Sequence, residues 1–242
     1  MNIINKIKFK NENRDVAPSI TIAFLGDSVT EGVFEVYMDE KDELRLVTDC
    51  ENVYHNKVRK IFAKLYPEVP INIINAGLSG QSCWHAIERL QEDVIRHSPD
   101  LCVVAFGVND VFADGGIHEE KYYNTLKEIF ARLQDKDIEV IFMTEHMSCT
   151  KISKFLTHPA LIEVARGAME LENCGSMARF MEVAKKAAME MNVPVCDCYS
   201  KWRKLYESGV DIDSLLINHI NHPDEDMHWL FALSLVETMF NN

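Results

Sequence analysis

Ile20-Thr21-Ile22-Ala23-Phe24-Leu25-Gly26-Asp27-Ser28-Val29-Thr30-Glu31-Gly32 passes from an apolar run into a polar turn that opens a helix. The run predicts a buried strand, and the serine then sits where that strand gives way to the turn. A sheet fixes the backbone there, Gly26 lets the chain turn sharply, and the start of the next helix aims N–H groups at any developing anion. The same residues also suit an ordinary turn with Asp27 or Ser28 as a helix cap.

Working outward, further apolar runs of strand length fall at Ile71–Ile74, Leu101–Phe106, Ile138–Met143 and Val193–Cys196, separated by segments of helical period. Val53, Tyr54, Val58, Ile61, Phe62 and Leu65 share one stripe, as do Trp84, Ile87, Leu90 and Val94, and Tyr122, Leu126, Ile129, Phe130 and Leu133. The alternation predicts an α/β fold: five units with right-handed crossovers make a mainly parallel five-stranded sheet covered by helices on both faces. Ligands then collect at the carboxyl ends of the strands. The chain reads as one domain over 1–242, with an amino-terminal extension over 1–18. Residues 33–52 form an acidic surface excursion without clear period. Residues 145–190 are a candidate helical cap insertion, with Pro159 starting a helix and Met169, Met177, Met181 and Met189 able to adapt to an irregular apolar surface.

Composition narrows the function classes. A net charge of −13, from 25 basic and 38 acidic residues, repels a nucleic-acid backbone and an anionic membrane surface. The amino terminus carries lysines without an apolar signal core, and no apolar stretch approaches a membrane span, so a soluble cytoplasmic protein without membrane insertion is expected. Seven scattered cysteines without paired spacing read as reduced, mostly buried thiols.

The candidate functional residues share one topological position. Asn75-Ala76-Gly77-Leu78-Ser79-Gly80-Gln81-Ser82 follows the second predicted strand, Gly107-Val108-Asn109-Asp110 follows the third, and Asn221-His222-Pro223 precedes the last helix. These parts suit acyl transfer. Ser28 supplies an oxygen nucleophile, and His222 supplies a base whose ordinary pKa is near ~6.5, so activity is expected to rise between pH 5 and 8. The N–H groups of Ser28 and Gly80 and the Asn109 amide are candidate oxyanion donors.

Four blocks, Gly26-Asp27-Ser28, Gly80, Gly107-Val108-Asn109-Asp110 and His222-Pro223, occur in the order that marks the SGNH hydrolases, the GDSL esterase/lipase family, which the chain resembles from about Ile20 to Val236. The resemblance implies a flavodoxin-like three-layer α/β/α sandwich. It also implies a serine esterase working through an acyl-serine intermediate, on short acyl groups such as acetyl esters of carbohydrate or small molecules, with no cofactor and no metal. Lysophospholipase or thioesterase activity belongs to the same family. One departure matters: the family's aspartate three residues before the histidine is His219 here. Asp211, Asp213, Asp224 and Asp226 are nearby carboxylates, and a backbone carbonyl would orient the ring in a serine–histidine dyad. Two rivals stand beside this reading. His219, His222 and His228 with Asp224 and Asp226 would serve a metal-activated water, although Pro223 breaks their common helical face. A non-catalytic binding module on a degenerate scaffold is the other, against which the joint presence of Ser28, Gly80, Asn109 and His222 speaks. Oligomeric state is not written in the sequence.

Overall fold

The computed structural model describes residues 2–113 and 118–241. In chain order these form α1 (Asn2–Glu12), β1 (Ile20–Gly26), α2 (Ser28–Glu31), β2 (Val33–Met38), β3 (Leu44–Thr48), α3 (Tyr54–Leu65) and β4 (Ile71–Gly77). There follow α4 (Cys83–Asp93), β5 (Leu101–Ala105), α5 (Val108–Ala113), α6 (Glu119–Gln134), β6 (Glu139–Met143), α7 (Pro159–Asn173), α8 (Ser176–Glu190), β7 (Val195–Cys196), α9 (Cys198–Glu207) and α10 (Met227–Asn241).

Five strands pair in the order β4-β1-β5-β6-β7, all parallel, as the apolar runs predict. All five residues of β5 are buried, and so are all but Thr21 in β1, because helices cover both faces. One layer holds α3, α10 and α1, and the other holds α4, α6 and α8. Tyr122, Leu126, Ile129, Phe130 and Leu133 of α6 are buried together, as their spacing requires. No described helix is long and apolar enough to cross a membrane.

Three segments go beyond the sequence reading. Residues 33–52 contain an antiparallel ribbon of β2 and β3, registered from Val33 opposite Thr48 to Met38 opposite Leu44. All of β3 is exposed, so no buried alternation marks it in the sequence. The amino-terminal extension is a docked helix: Ile3 and Ile7 are buried, the Ile3 N–H donates to Glu139 Oε2 at 3.1 Å, and Lys6 Nζ lies 2.9 Å from Asp100 Oδ1. Residues 145–190 divide between two roles. Helix α8 buries Met177, Phe180, Met181, Ala184, Ala187 and Ala188 in its layer, whereas Phe155, Leu156, Thr157, His158, Pro159 and Leu161 wall an open groove.

Candidate active site

The neighbouring strands β4, β1 and β5 release the chain at their carboxyl ends into the loops bearing Gly80, Ser28 and Asn109. The chain passes from β1 outward to β4 and returns across β1 to β5. Strand order reverses there, and open parallel sheets bind ligands in that crevice.

Close approach shapes the serine turn. A Cβ on Gly26 would lie 2.1 Å from Thr30 Oγ1 and 2.9 Å from the Ala105 carbonyl, so only glycine lets α2 fold back over the sheet. Asp27 caps α2, its Oδ1 accepting the Val29 N–H at 3.0 Å, and Ser28 is the first helical residue, 6% exposed. The next loop is tied to this turn: the Leu78 N–H donates to the Gly26 carbonyl at 3.1 Å, and the Ser79 N–H to Glu31 Oε2 at 2.6 Å. Arg89 of α4 braces both from behind, donating to the carbonyls of Gly26 at 3.1 Å and Ala76 at 2.8 Å. Gly80 adopts a left-handed φ of 74° with nothing within 4 Å of an added Cβ, so its conformation rather than crowding favours glycine.

Ser28 Oγ and His222 Nε2 are 2.9 Å apart. On the other side of the ring, Nδ1 lies 3.2 Å from the carbonyl oxygen of Phe34 on β2. A carbonyl only accepts, so Nδ1 carries the hydrogen and Nε2 turns its lone pair to the serine hydroxyl. His222 as a whole is 4% exposed. Burial pushes its pKa down to about 4, with His146 reinforcing the shift and the Phe34 carbonyl opposing it. The expectation of a base titrating near its ordinary value takes no account of this burial, because a sequence motif carries no information on desolvation.

Asn109 joins the two other loops. Its Nδ2 donates to Asp27 Oδ2 and to the Gln81 carbonyl, each at 3.1 Å, linking the residue before Ser28 to the residue after Gly80. Both amide hydrogens are thereby engaged, so an oxyanion would share one of them.

The upstream and downstream acids are employed elsewhere. Asp224 Oδ1 accepts the Met227 N–H at 2.8 Å at the start of α10, Asp213 accepts the N–H and hydroxyl of Thr150, each at 2.7 Å, and Asp211 pairs with Lys151 at 2.8 Å. Asp226 is exposed. His219 has a left-handed φ of 59°, and its ring stacks on Phe155 at 5.4 Å between centroids. His228 is buried against Phe34 and accepts the Tyr54 N–H on Nδ1 at 3.1 Å. His222 and His228 both lie against Phe34 while His219 stacks on Phe155, and the described residues gather no group of three His, Cys, Asp or Glu suited to a metal ion.

Sequence reasoning passed over Glu145 and His146, although Thr144-Glu145-His146 stands directly after the β6 run at the same rim. Both are buried, and His146 Nε2 lies 2.6 Å from the Asn221 carbonyl oxygen. Burial, reinforced by the charge on Asp110, pushes Glu145 up to about 8, and burial pushes Asp110 up to about 6. Burial, with Glu145 next in weight, holds Asp27 well above the usual carboxylate range. Low dielectric therefore disfavours negative charge on all three carboxyls, most clearly on Glu145.

Among known proteins, an acetylxylan esterase of Geobacillus stearothermophilus is 28% identical over 88 residues, a match covering 33% of this chain and 40% of that protein's length. The solved structure of Axe2, an acetylxylan esterase from the same organism, superposes with a TM-score of 0.65 at 21% identity, covering 92% of this chain and 95% of that one. Others described as Axe2 are catalytic mutants, one replacing a serine and one an aspartate. LAE5, an alpha/beta hydrolase enzyme from the metagenome of Lake Arreo, Spain, gives 0.68 at 18% identity over 92% of this chain and 97% of its own. At these identities the structural likeness is one of fold. A profile of the GDSL-like lipase/acylhydrolase family matches residues 24–230, most of the sequence, and the chain belongs to that family.

Proposed function

We propose that this protein is a serine esterase that hydrolyses short-chain oxygen esters, with acetyl groups on carbohydrate as the favoured substrate. The observation that carries the reading is the 2.9 Å contact between Ser28 Oγ and an unprotonated His222 Nε2 at the strand-order switch. As Ser28 attacks the ester carbonyl, its proton passes to Nε2. The oxyanion is received by the N–H groups of Ser28 and Gly80 and by the Asn109 amide. His222 then protonates the leaving alcohol, and water releases the acyl group from Ser28 by the same steps in reverse. The reaction needs no cofactor.

The substrate class follows from two supports. Relatives described as acetylxylan esterases share the fold over nearly their whole length. A groove of about 430 Å³ beside the His222 loop is lined by the exposed rings of Tyr37 and Phe155 with Glu35, Thr157, Asn218 and His219 among them. Flat apolar rings interleaved with hydrogen-bonding groups suit a pyranose, which has apolar faces and a hydroxylated rim. A cytoplasmic location goes with the reading, supported by seven scattered cysteines without paired spacing.

The test is hydrolysis of p-nitrophenyl acetate, p-nitrophenyl octanoate and acetylated xylo-oligosaccharides by wild type and Ser28→Ala, with mass spectrometry of the acylated protein. The expected result is acetyl preference, acetylation on Ser28 and loss of turnover in the variant. An equally active Ser28→Ala would remove the mechanism, and preference for octanoate would move the substrate class to lipid.

A further inference from the structure

A carboxylate on the histidine of a triad supplies both charge and orientation. His222 has neither from such a source, and the 3.2 Å contact to the Phe34 carbonyl holds only one atom of its ring. The backbone behind the ring is held far more closely. Asn218, 6% exposed, presents a single Oδ1 to three successive N–H groups: Ile220 at 3.0 Å, Asn221 at 2.9 Å and His222 at 2.8 Å. Its Nδ2 donates to Asn221 Oδ1 at 3.1 Å. The three carbonyls of the same segment are taken from the other side. Ile220 accepts the Cys149 N–H at 2.8 Å, Asn221 accepts from His146 Nε2 at 2.6 Å, and His222 accepts the Ile217 N–H at 2.9 Å.

Every backbone polar group of residues 220–222 is therefore engaged, and two side chains supply most of the bonds. His146 must carry its hydrogen on Nε2 to make its contact. Its Nδ1 has no hydrogen-bond partner, and lies 3.8 Å from Glu145 Oε2. The ring packs between Trp202 and Phe231, with centroids 5.5 Å and 5.9 Å away, and the grip on the Asn221 carbonyl is its one hydrogen bond. Asn218 lies one residue before His219, which occupies the position of the missing acid, so the substitution and the grip belong to one short loop.

We propose that Asn218 and His146 are positioning residues for His222, clamping Ile220–His222 from both sides so that the imidazole stays within reach of Ser28 without a carboxylate partner. The inference rests on Ser28 and His222 acting as nucleophile and base. The clamp supplies orientation and no countercharge for the ring; His146, beyond its grip on the loop, also helps to hold the His222 pKa down.

The experiment compares Asn218→Ala with Asn218→Asp, which keeps the acceptor, and His146→Leu with His146→Gln, which keeps a donor. Two readouts are taken: steady-state hydrolysis of p-nitrophenyl acetate, and the ¹⁵N resonances of the His222 ring. Asn218→Ala and His146→Leu should lower kcat by about 10- to 100-fold with KM within about twofold, the penalty of a base displaced by a fraction of an ångström to an ångström. Asn218→Asp and His146→Gln should recover most of the loss. The His222 signals should show one Nδ1–H tautomer in wild type and averaging between tautomers in the two disruptive variants. Wild-type kcat in folded Asn218→Ala, with the single tautomer retained, would overturn the clamp. If Asn218→Ala does not fold, equal kcat in His146→Leu and His146→Gln would overturn it. Should wild type itself show no Ser28-dependent turnover, the esterase reading fails, and the ring signals alone decide the clamp.

Discussion

Lowering the pH from 8 to 4 separates a buried base from a solvated one. An imidazole at its ordinary value of ~6.5 is about 3% neutral at pH 5, so an esterase using it would retain about 3% of its plateau activity there. His222 is pushed down to about 4 by burial first and His146 second. A base at that value is still about 90% neutral at pH 5, so the same measurement should return nearly the plateau, a contrast of about thirtyfold. The displacement favours the neutral ring on the order of 3 kcal/mol. The quantity to follow is kcat/KM for p-nitrophenyl acetate, which reports the free enzyme, at constant ionic strength. The fold weakens in the same window. His55, His146 and His222 are each pushed to about 4, well below the unfolded value. Between ~6.5 and 4 the unfolded chain binds more protons than the folded one, so stability falls as the pH drops through that range. Each sample must therefore be returned to pH 7 and assayed again, so that reversible titration is separated from unfolding. A reversible midpoint between pH 6 and 7 in folded protein would refute the assignment of a desolvated His222 as the base.

Three further outcomes are expected. Asn109→Ala should lower kcat about 100-fold with little change in KM, because the amide serves a charge present only in the transition state; an effect confined to KM would mean that it holds substrate instead. Glu145, pushed up to about 8, is protonated when folded and ionised when unfolded over most of the range above 4.5, so its contribution to stability falls as pH rises through that window. Glu145→Gln should accordingly melt on the order of 10 °C above wild type at pH 8 and only about 2 °C above it at pH 5, and a gap independent of pH would contradict the protonated state. Phe155, 68% exposed on the groove wall, should matter only to an extended substrate: Phe155→Ala should raise KM about three- to tenfold for acetylated xylo-oligosaccharides and leave p-nitrophenyl acetate unaffected. Equal effects on both substrates would place the ring's influence elsewhere.

What the sequence made legible follows from what physics demands of residue type. The inner strands of a doubly covered parallel sheet are apolar along their length, so β1, β5 and β6 stand out, and even edge strand β4, with Asn72 and Asn75 exposed, keeps three isoleucines, whereas the order in the sheet depends on crossover geometry that no single run encodes. The β2–β3 ribbon left no such signature, since its residues from Glu35 onward face largely outward. Helix α1 is anchored by only two buried side chains, Ile3 and Ile7, too few to set a period. Ser28, Gly80, Asn109 and His222 were readable because each chemistry admits few side chains. The Phe34 carbonyl contact belongs to the backbone and would look the same with another residue there. Asn218 and His146 act through the conformation of a loop, so their identities mean little until that loop is folded.

The missing acid and the buried base are best understood together. A carboxylate beside Nδ1 would stabilise the imidazolium and raise the pKa of His222, opposing the burial that now sets it. With a neutral carbonyl there instead, burial keeps the resting ring unprotonated down to mildly acidic pH, as the proposed base requires. Under the proposed mechanism the imidazolium would have a neutral carbonyl at Nδ1 where the family has a carboxylate, so more of the transition-state stabilisation would fall to the oxyanion side. In that scheme a protonated Glu145, pushed up to about 8, serves that end, because an ionised carboxylate at the same rim would repel the developing oxyanion. Thus, in the proposed site, the feature that departs most from the family pattern, His219 in place of an aspartate, goes with hydrogen bonds to the backbone as the source of orientation and with burial as the force that keeps the His222 ring neutral.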